Sequence, residues 1–212
     1  MNATQAPSIQ PIPPLAGQRG PAEHDRRAQI LDAANEYFRR YGYDKTTVAD
    51  LAKAIGLSTA YIYKFFDSKQ AIGEAVVRQV LGRVLEELRL IARGSKSPAS
   101  RLRMIYETAA KRGSEVCFHE RKIHDLAVIA CGEKWQAVRD HRSALGEIIR
   151  ELLAEGRKSG DFERKTPISE VGVAILQTLD LFTQPLMLEQ YPEDVSTRAQ
   201  SIANLVIRSL AP

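Results

Sequence analysis

The chain has 212 residues, 44% of them hydrophobic, enough for one large domain or for a small domain joined to a larger one. No stretch reaches the roughly eighteen apolar residues of a membrane helix, and the start lacks a charged-then-apolar signal pattern, so a cytoplasmic protein with no membrane partner is expected. A net charge of +4 and a pI of about 9.1 lean towards nucleic acid, yet residues 23–69 hold eight Lys or Arg against seven Asp or Glu. Bulk charge therefore cannot carry a nucleic-acid contact there, and individually placed residues must.

Residues 1–22 contain five of the ten prolines and no apolar period, which reads as a disordered tail. A first helix follows from about 25 to 41, with Ile30, Leu31, Ala34, Tyr37, Phe38 and Tyr41 forming one apolar stripe. Gly42 ends it. Thr47 opens the next helix, and Asp50, three positions on, completes a capping-box arrangement. Val48, Leu51, Ala52 and Ile55 form its buried side, and Gly56 closes it. Ser58 is the N-cap of a helix of about two turns through Phe66. Asp67 or Ser68 caps a long helix from about 69 to 92, with Ile72, Ala75, Val76, Val80, Val84, Leu88 and Ile91 as its stripe. After the turn GSKSP at 94–98, helices are expected over 99–113, 117–131, 133–158, 168–187 and 195–210. Their breaks fall at Gly113, Gly132, the polar segment 159–167 and Pro192. With no alternating strand and no repeat, the fold class is all-α.

Two short helices joined by a Gly-containing turn and braced by a longer one make a helix-turn-helix, whose second helix enters a DNA major groove. The segment GLSTAYIYKFF at 56–66 fits that second helix. Leu57, Ile62, Phe65 and Phe66 can pack inward, leaving Thr59, Ala60, Tyr61, Tyr63 and Lys64 facing out. Thr59 offers a hydroxyl and a methyl to bases, and Ala60 allows close approach. Tyr61, Tyr63 and Lys64 can reach phosphates, with Thr47 and Lys69 flanking the groove and Ser58 at the helix start. The pattern alone also fits an α-helical interaction module in which the motif is only scaffold.

TTVADLAKAIGLSTAYIYKFFDSKQAI at 46–72, with ILDAANEYFRRYGYDKTT before it, resembles the tetracycline-repressor (TetR) family of transcriptional regulators. Ala34, Phe38, Gly42, Thr47, Leu51, Ala52, Gly56, Ser58, Ile62, Tyr63, Phe66, Lys69 and Ile72 carry the likeness, while Ala60, Tyr61 and Gln70 depart from the family's pattern. The resemblance implies a helix-turn-helix DNA-binding domain over 23–69 and a helical ligand-binding and dimerisation domain over 70–212. It further implies a homodimeric repressor, released from a palindromic operator by a small-molecule effector, with the helix from 69 to 92 as lever.

Other assignments in the larger domain are less directed. Helix 168–187 is apolar nearly all round, which demands cover from the protein's own core or from a second chain. Val171, Ile175, Leu179 and Phe182, with Ile202, Leu205 and Val206 of the last helix, are the candidate dimer residues. Tyr106, Phe118, His124, Trp135, His141 and Phe182 are candidates for lining an effector pocket, with plain core packing as the alternative for each. His119 and His124 are five apart rather than the four that aligns metal ligands on one helical face, so no metal site is expected. Phosphate-cradling, nucleophile-elbow, dinucleotide and zinc-protease motifs are missing, so neither cofactor nor catalysis is expected. Cys117 and Cys131 stand fourteen apart, about 21 Å along one continuous helix, too far for a disulfide.

Overall fold

A computed structural model describes residues 21–212; the tail read over 1–22 lies outside them except for its last two positions, which open the first helix. In order, the helices are α1 (Pro21–Tyr41), α2 (Val48–Ala54), α3 (Thr59–Ile62), α4 (Lys69–Ala92), α5 (Pro98–Ser114), α6 (Arg121–Gly132), α7 (Gln136–Ser159), α8 (Ile168–Thr183), α9 (Pro185–Gln190) and α10 (Val195–Ser209). A π-helical turn at Glu115–His119 stands between α5 and α6, and no strand occurs among the described residues.

Local chemistry sets most of the boundaries. Gly42 takes a φ of +90° and donates its N–H to the Phe38 carbonyl at 3.0 Å, closing α1. The side chains of Thr47, Ser58, Ser68 and Ser97 accept hydrogen bonds from amides in the first turns of α2, α3, α4 and α5, so Ser68 rather than Asp67 is the cap of α4.

Several expectations need correction. α3 is a single turn ending at Ile62, followed by non-helical turns through Phe65. The helix expected over 168–187 breaks at Gln184, because Pro185 has no amide to donate and forces the residue before it into an extended conformation. Gly113 does not end α5. A Cβ there would overlap the Phe182 carbonyl oxygen and come within 2.7 Å of Leu188 Cδ1, so the glycine lets α5 press against the end of α8. Tyr41, assigned to the buried stripe of α1, is 43% exposed.

Two apolar cores result. The first gathers Ile30, Ala34 and Phe38 of α1, Leu51 of α2, Ile62 of α3, Phe66, and Ile72 and Val76 from the start of α4. It also takes in Ile123, Leu126 and Ala130 of α6 together with Trp135, so packing does not divide at the boundary between residues 69 and 70. The second core joins the far end of α4 to α5, α7, α8 and α10 through Leu88, Ile105, Tyr106, Ile149, Leu179, Phe182 and Ala203. α4 runs along α7 and contributes to both. Among the described residues, no helix is long and apolar enough to cross a membrane.

Candidate nucleic-acid interface and a buried cavity

The helix-turn-helix is held by reciprocal capping. Thr47 N–H donates to Asp50 Oδ2 at 2.8 Å, Thr47 Oγ1 to the same oxygen at 2.6 Å, and Asp50 N–H to Thr47 Oγ1 at 3.1 Å. The two bonds that Thr47 donates to the carboxylate, the hydroxyl's first, hold the Asp50 carboxyl below the usual carboxylate range. Thr47→Ala is therefore expected to cost about 1 kcal/mol of unfolding free energy, with Thr47→Ser close to wild type, as measured by urea titration.

On α3, Ser58 Oγ accepts from Tyr61 N–H at 3.1 Å. Ile62 and Phe66 are buried, while Leu57 and Phe65 are half-buried beneath them. Ser58, Ala60, Lys64 and Tyr63 (47% exposed) are exposed, as is Thr47 at the start of α2. Thr59 and Tyr61 are half-buried. The Tyr61 ring lies edge-on to Phe65 at 5.4 Å with Lys64 Nζ over it at 5.4 Å, so Tyr61 is braced rather than freely presented. Lys69 Nζ sits 4.3 Å from the Tyr43 ring centroid and 3.4 Å from the Asp44 carbonyl, which restrains it at the edge of the motif.

Tyr43 leads from the motif to the rest of the protein, a role the sequence reading did not assign. Its ring packs edge-on to Phe38 at 5.3 Å and to Trp135 at 5.8 Å, and Gly73 of α4 leaves room for both. Trp135 Nε1 donates to Glu133 Oε2 at 2.7 Å, and the Gln136 amide at the start of α7 donates to Glu74 of α4 at 3.0 Å. α6 adds an ion pair between Glu120, just before its start, and Arg39 of α1.

Behind this junction lies a cavity of about 100 Å³. Val76, Val77, Val80, Leu81, Val84 and Leu88 of α4 form one wall. Facing them are Ala109, Arg112 and Gly113 of α5, Val116 and Cys117 of the π-helical turn, and Ile123, His124, Leu126 and Ala127 of α6. His141 of α7, Phe182 and Thr183 of α8, and Pro185 and Leu188 of α9 complete it. Of the six pocket candidates, His124, His141 and Phe182 meet here. The other three do not. Trp135 is buried in the first core against Tyr43, and Phe118 is 43% exposed on the π-helical turn. Tyr106 is buried with its hydroxyl bonded to Thr178, and burial pushes that hydroxyl up to about 12 against the lowering effect of this bond. Arg112 is one of the wall residues that sequence reasoning missed, because its place there depends on how α5 lies against α4.

The candidate dimer residues also divide. Ile175, Leu179 and Phe182 are at most 2% exposed and pack inside the second core, so no second chain can reach them. Val171, Ile202 and Val206 are half-buried, whereas Leu205 is 69% exposed and Val173, not among the candidates, is 54% exposed. Both cysteines are free thiols; burial raises the pKa of Cys117 and Cys131, with nearby Glu189 and Asp180 respectively adding to the shift.

Comparison with known proteins agrees with this geometry. The chain is 27% identical over 141 residues to the HTH-type transcriptional repressor KstR2 of Rhodococcus jostii, covering 65% of this chain and 68% of that one. Over 54 residues it is 48% identical to the HTH-type transcriptional repressor Rv1474c of Mycobacterium tuberculosis, 26% of this chain and 29% of that one. In fold it matches a TetR-family transcriptional regulator from Pectobacterium atrosepticum with a TM-score of 0.71 at 21% identity, covering 91% of this chain and 98% of the other. The regulator FadR from Bacillus subtilis, solved in complex with stearoyl-CoA, matches with a TM-score of 0.63 at 21% identity, over 86% and 98% of the two chains. Residues 30–76 match the family described as bacterial regulatory proteins, tetR family, and residues 98–203 match the tetracyclin repressor-like C-terminal domain. With both halves matched and the helix-turn-helix in place, the chain belongs to the TetR family of DNA-binding transcriptional regulators.

Proposed function

We propose that this protein acts in the cytoplasm as a homodimeric repressor that leaves a pseudo-palindromic operator when a small molecule enters the cavity between α4 and α6. The observation that carries the reading is the placement of two helices. α4 starts at the DNA-facing motif with Lys69 and supplies Val76 to Leu88 of the cavity wall. α6 packs on α1 while presenting His124 and Ala127 to the same cavity. A molecule that separates α4 from α6 shifts Ile72 and Ile123 within the core on which α3 rests. By linkage, operator then weakens effector binding by the same factor that effector weakens operator binding. The boundary of the DNA-binding domain near residue 69 is part of this proposal, with α4 shared by both halves.

Two chains are needed because the motif is nearly neutral, and joining two copies makes the second half-site contact effectively intramolecular. The seam we propose uses the outer faces of α8 and α10, with Val173 and Leu205 exposed beside the half-buried Val171, Ile202 and Val206.

Selection of bound duplexes from a random DNA pool at about 0.15 M salt, where non-specific binding is already weakened, tests the reading. An enriched near-palindrome with half-sites about one helical turn or a small multiple apart is expected. On that operator, Lys64→Ala in both subunits should weaken binding across sequence variants and lower the salt slope by about 2, one phosphate contact per subunit. Enrichment of a single non-repeated site, or an unchanged slope, contradicts the proposed docking.

A further inference from the structure

We infer that the cavity takes an uncharged, mostly hydrocarbon molecule bearing one hydroxyl or carbonyl group, which His124 and His141 hold by hydrogen bonds. The inference rests on the proposed reading of this cavity as the effector site and specifies the chemistry of its occupant.

Two histidines stand out on a mostly apolar wall that also carries Arg112 and Thr183. His124 is 2% exposed, and neither of its ring nitrogens has a hydrogen-bond partner among the described residues. The nearest carboxylate oxygen, on Asp125, is 3.9 Å from Nδ1, beyond hydrogen-bonding distance. His141 Nδ1 is also buried and unpaired among the described residues. Burial, and then the charge of Arg89, push the His141 pKa down to about 4, against the Leu81 carbonyl, which favours the protonated ring. His141 is therefore neutral at pH 7. A neutral imidazole carries one N–H donor and one acceptor nitrogen, so a ligand at Nδ1 meets one or the other. Buried polar atoms in native proteins are almost always paired, so orphaned nitrogens on two residues of one cavity mark a place where a ligand supplies the partner. A hydroxyl fits both rings, since it can donate to an acceptor nitrogen of one and accept from the N–H of the other. A carbonyl can accept from a ring N–H of either histidine.

Charge is excluded by what surrounds the cavity. Arg112, among the described residues the one Lys or Arg on the wall of the main chamber, is already bound to Glu87 through Nε at 2.7 Å and Nη2 at 3.1 Å, and to Glu115 through Nη1 at 2.7 Å. Two carboxylates already face that guanidinium, so an anionic ligand finds no free countercharge. Among the described residues no carboxylate lines the main chamber to receive a cation, and Asp180 beside the smaller space is already paired with Arg142. A desolvated ion without a partner is disfavoured in such a place.

Size restricts the occupant further. At about 100 Å³ the main chamber is smaller than the dry cavity of about 150 Å³ that accommodates benzene, so a ring-sized group needs some of the adjoining space as well. A second chamber of about 70 Å³ adjoins it and shares Val77, Leu81, Ala127, His141, Thr183 and Pro185. His141 borders both, which places the polar group of a longer molecule between the apolar main chamber and a smaller space whose wall also carries Gln184 and the paired Arg142 and Asp180.

Calorimetric titration of the full-length protein at pH 7 with cyclohexanol, methylcyclohexane, cyclohexanecarboxylate and cyclohexylammonium tests the inference. Cyclohexanol should bind about tenfold more tightly than methylcyclohexane, the worth of about one hydrogen bond, and more tightly still than either ion. His124→Phe and His141→Phe should remove the preference for the alcohol while methylcyclohexane binding persists, showing that the cavity survives the change. Equal binding of alcohol and hydrocarbon, a preference for either ion, or a preference that outlasts both substitutions overturns the inferred chemistry and leaves the effector cavity standing. Ala127→Phe, which fills the cavity, should abolish binding of every compound. Binding that resists Ala127→Phe, or no binding by any compound, overturns the cavity as the ligand site.

Discussion

Trp135→Ala should lower unfolding free energy by about 3–5 kcal/mol, the usual loss when a large buried aromatic is truncated. The indole is 2% exposed and lies in the DNA-proximal core, although it follows α6 by several residues and immediately precedes α7. Its removal leaves the Tyr43 ring without its edge-on partner and opens a void over Gly73, where an added Cβ would stand only 3.0 Å from the indole. Helix packing cannot close that void easily, because Tyr43 is also fixed against Phe38 and the Gln136 amide is tied to Glu74. Urea unfolding followed by far-UV circular dichroism measures the effect, since the protein's single tryptophan is the residue being removed. Trp135→Phe should lose less. Operator affinity should fall in Trp135→Ala even where the chain remains folded, because the same packing sets how α1 and α4 support α3. A loss below about 1 kcal/mol would mean that the indole is not part of this core.

A second large effect comes from a glycine. Gly113→Ala is expected to destabilise by about 2 kcal/mol, lowering the melting temperature by about 4–8 °C for a chain of this size. Ordinarily alanine inside a helix is worth about 1 kcal/mol over glycine. Here the new methyl meets the Phe182 carbonyl oxygen, a backbone atom that can yield only if α5 and α8 part, and Leu188 Cδ1 behind it. Gly82 in α4 is the matched control: a Cβ there has nothing within 4 Å, so Gly82→Ala should stabilise by up to about 1 kcal/mol. Opposite signs at these two helical glycines, read by differential scanning calorimetry, establish that α5 and α8 pack as closely as described. Stabilisation at both positions contradicts it. Gly113 also lines the cavity, so the same contact holds the end of α8 where Phe182 and Thr183 face the ligand space.

Features governed by near neighbours were readable from the amino acids alone. Thr47 with Asp50, Ser58, and Gly42 act within one turn of the chain, and each occupies the cap that its chemistry requires. The helical period of Ile30, Ala34 and Phe38 likewise identifies an inward face without reference to anything else. The resemblance that named the family sits on these same residues, which is why the DNA-facing motif was legible. Pro185 was a local signal too, and a reading that followed apolar content alone carried the helix past it.

Tertiary structure decided the rest. α8 is apolar nearly all round, so its period has no direction, and only packing against α5 and α7 shows Ile175, Leu179 and Phe182 turned inward with Val173 left outside. Trp135, Tyr43 and Gly73 are far apart in sequence and meet only when α6 folds back on α1 and α4. His124 and His141 are pocket candidates from the sequence alongside Tyr106, Phe118 and Trp135, and only the placement of α6 and α7 sets these two on one cavity wall, with nitrogens left unpaired among the described residues. Caps and stripes answer to interactions within a few residues. Cavities, seams and partnerless polar atoms are set by distances between helices, and those are fixed only when the helices have packed.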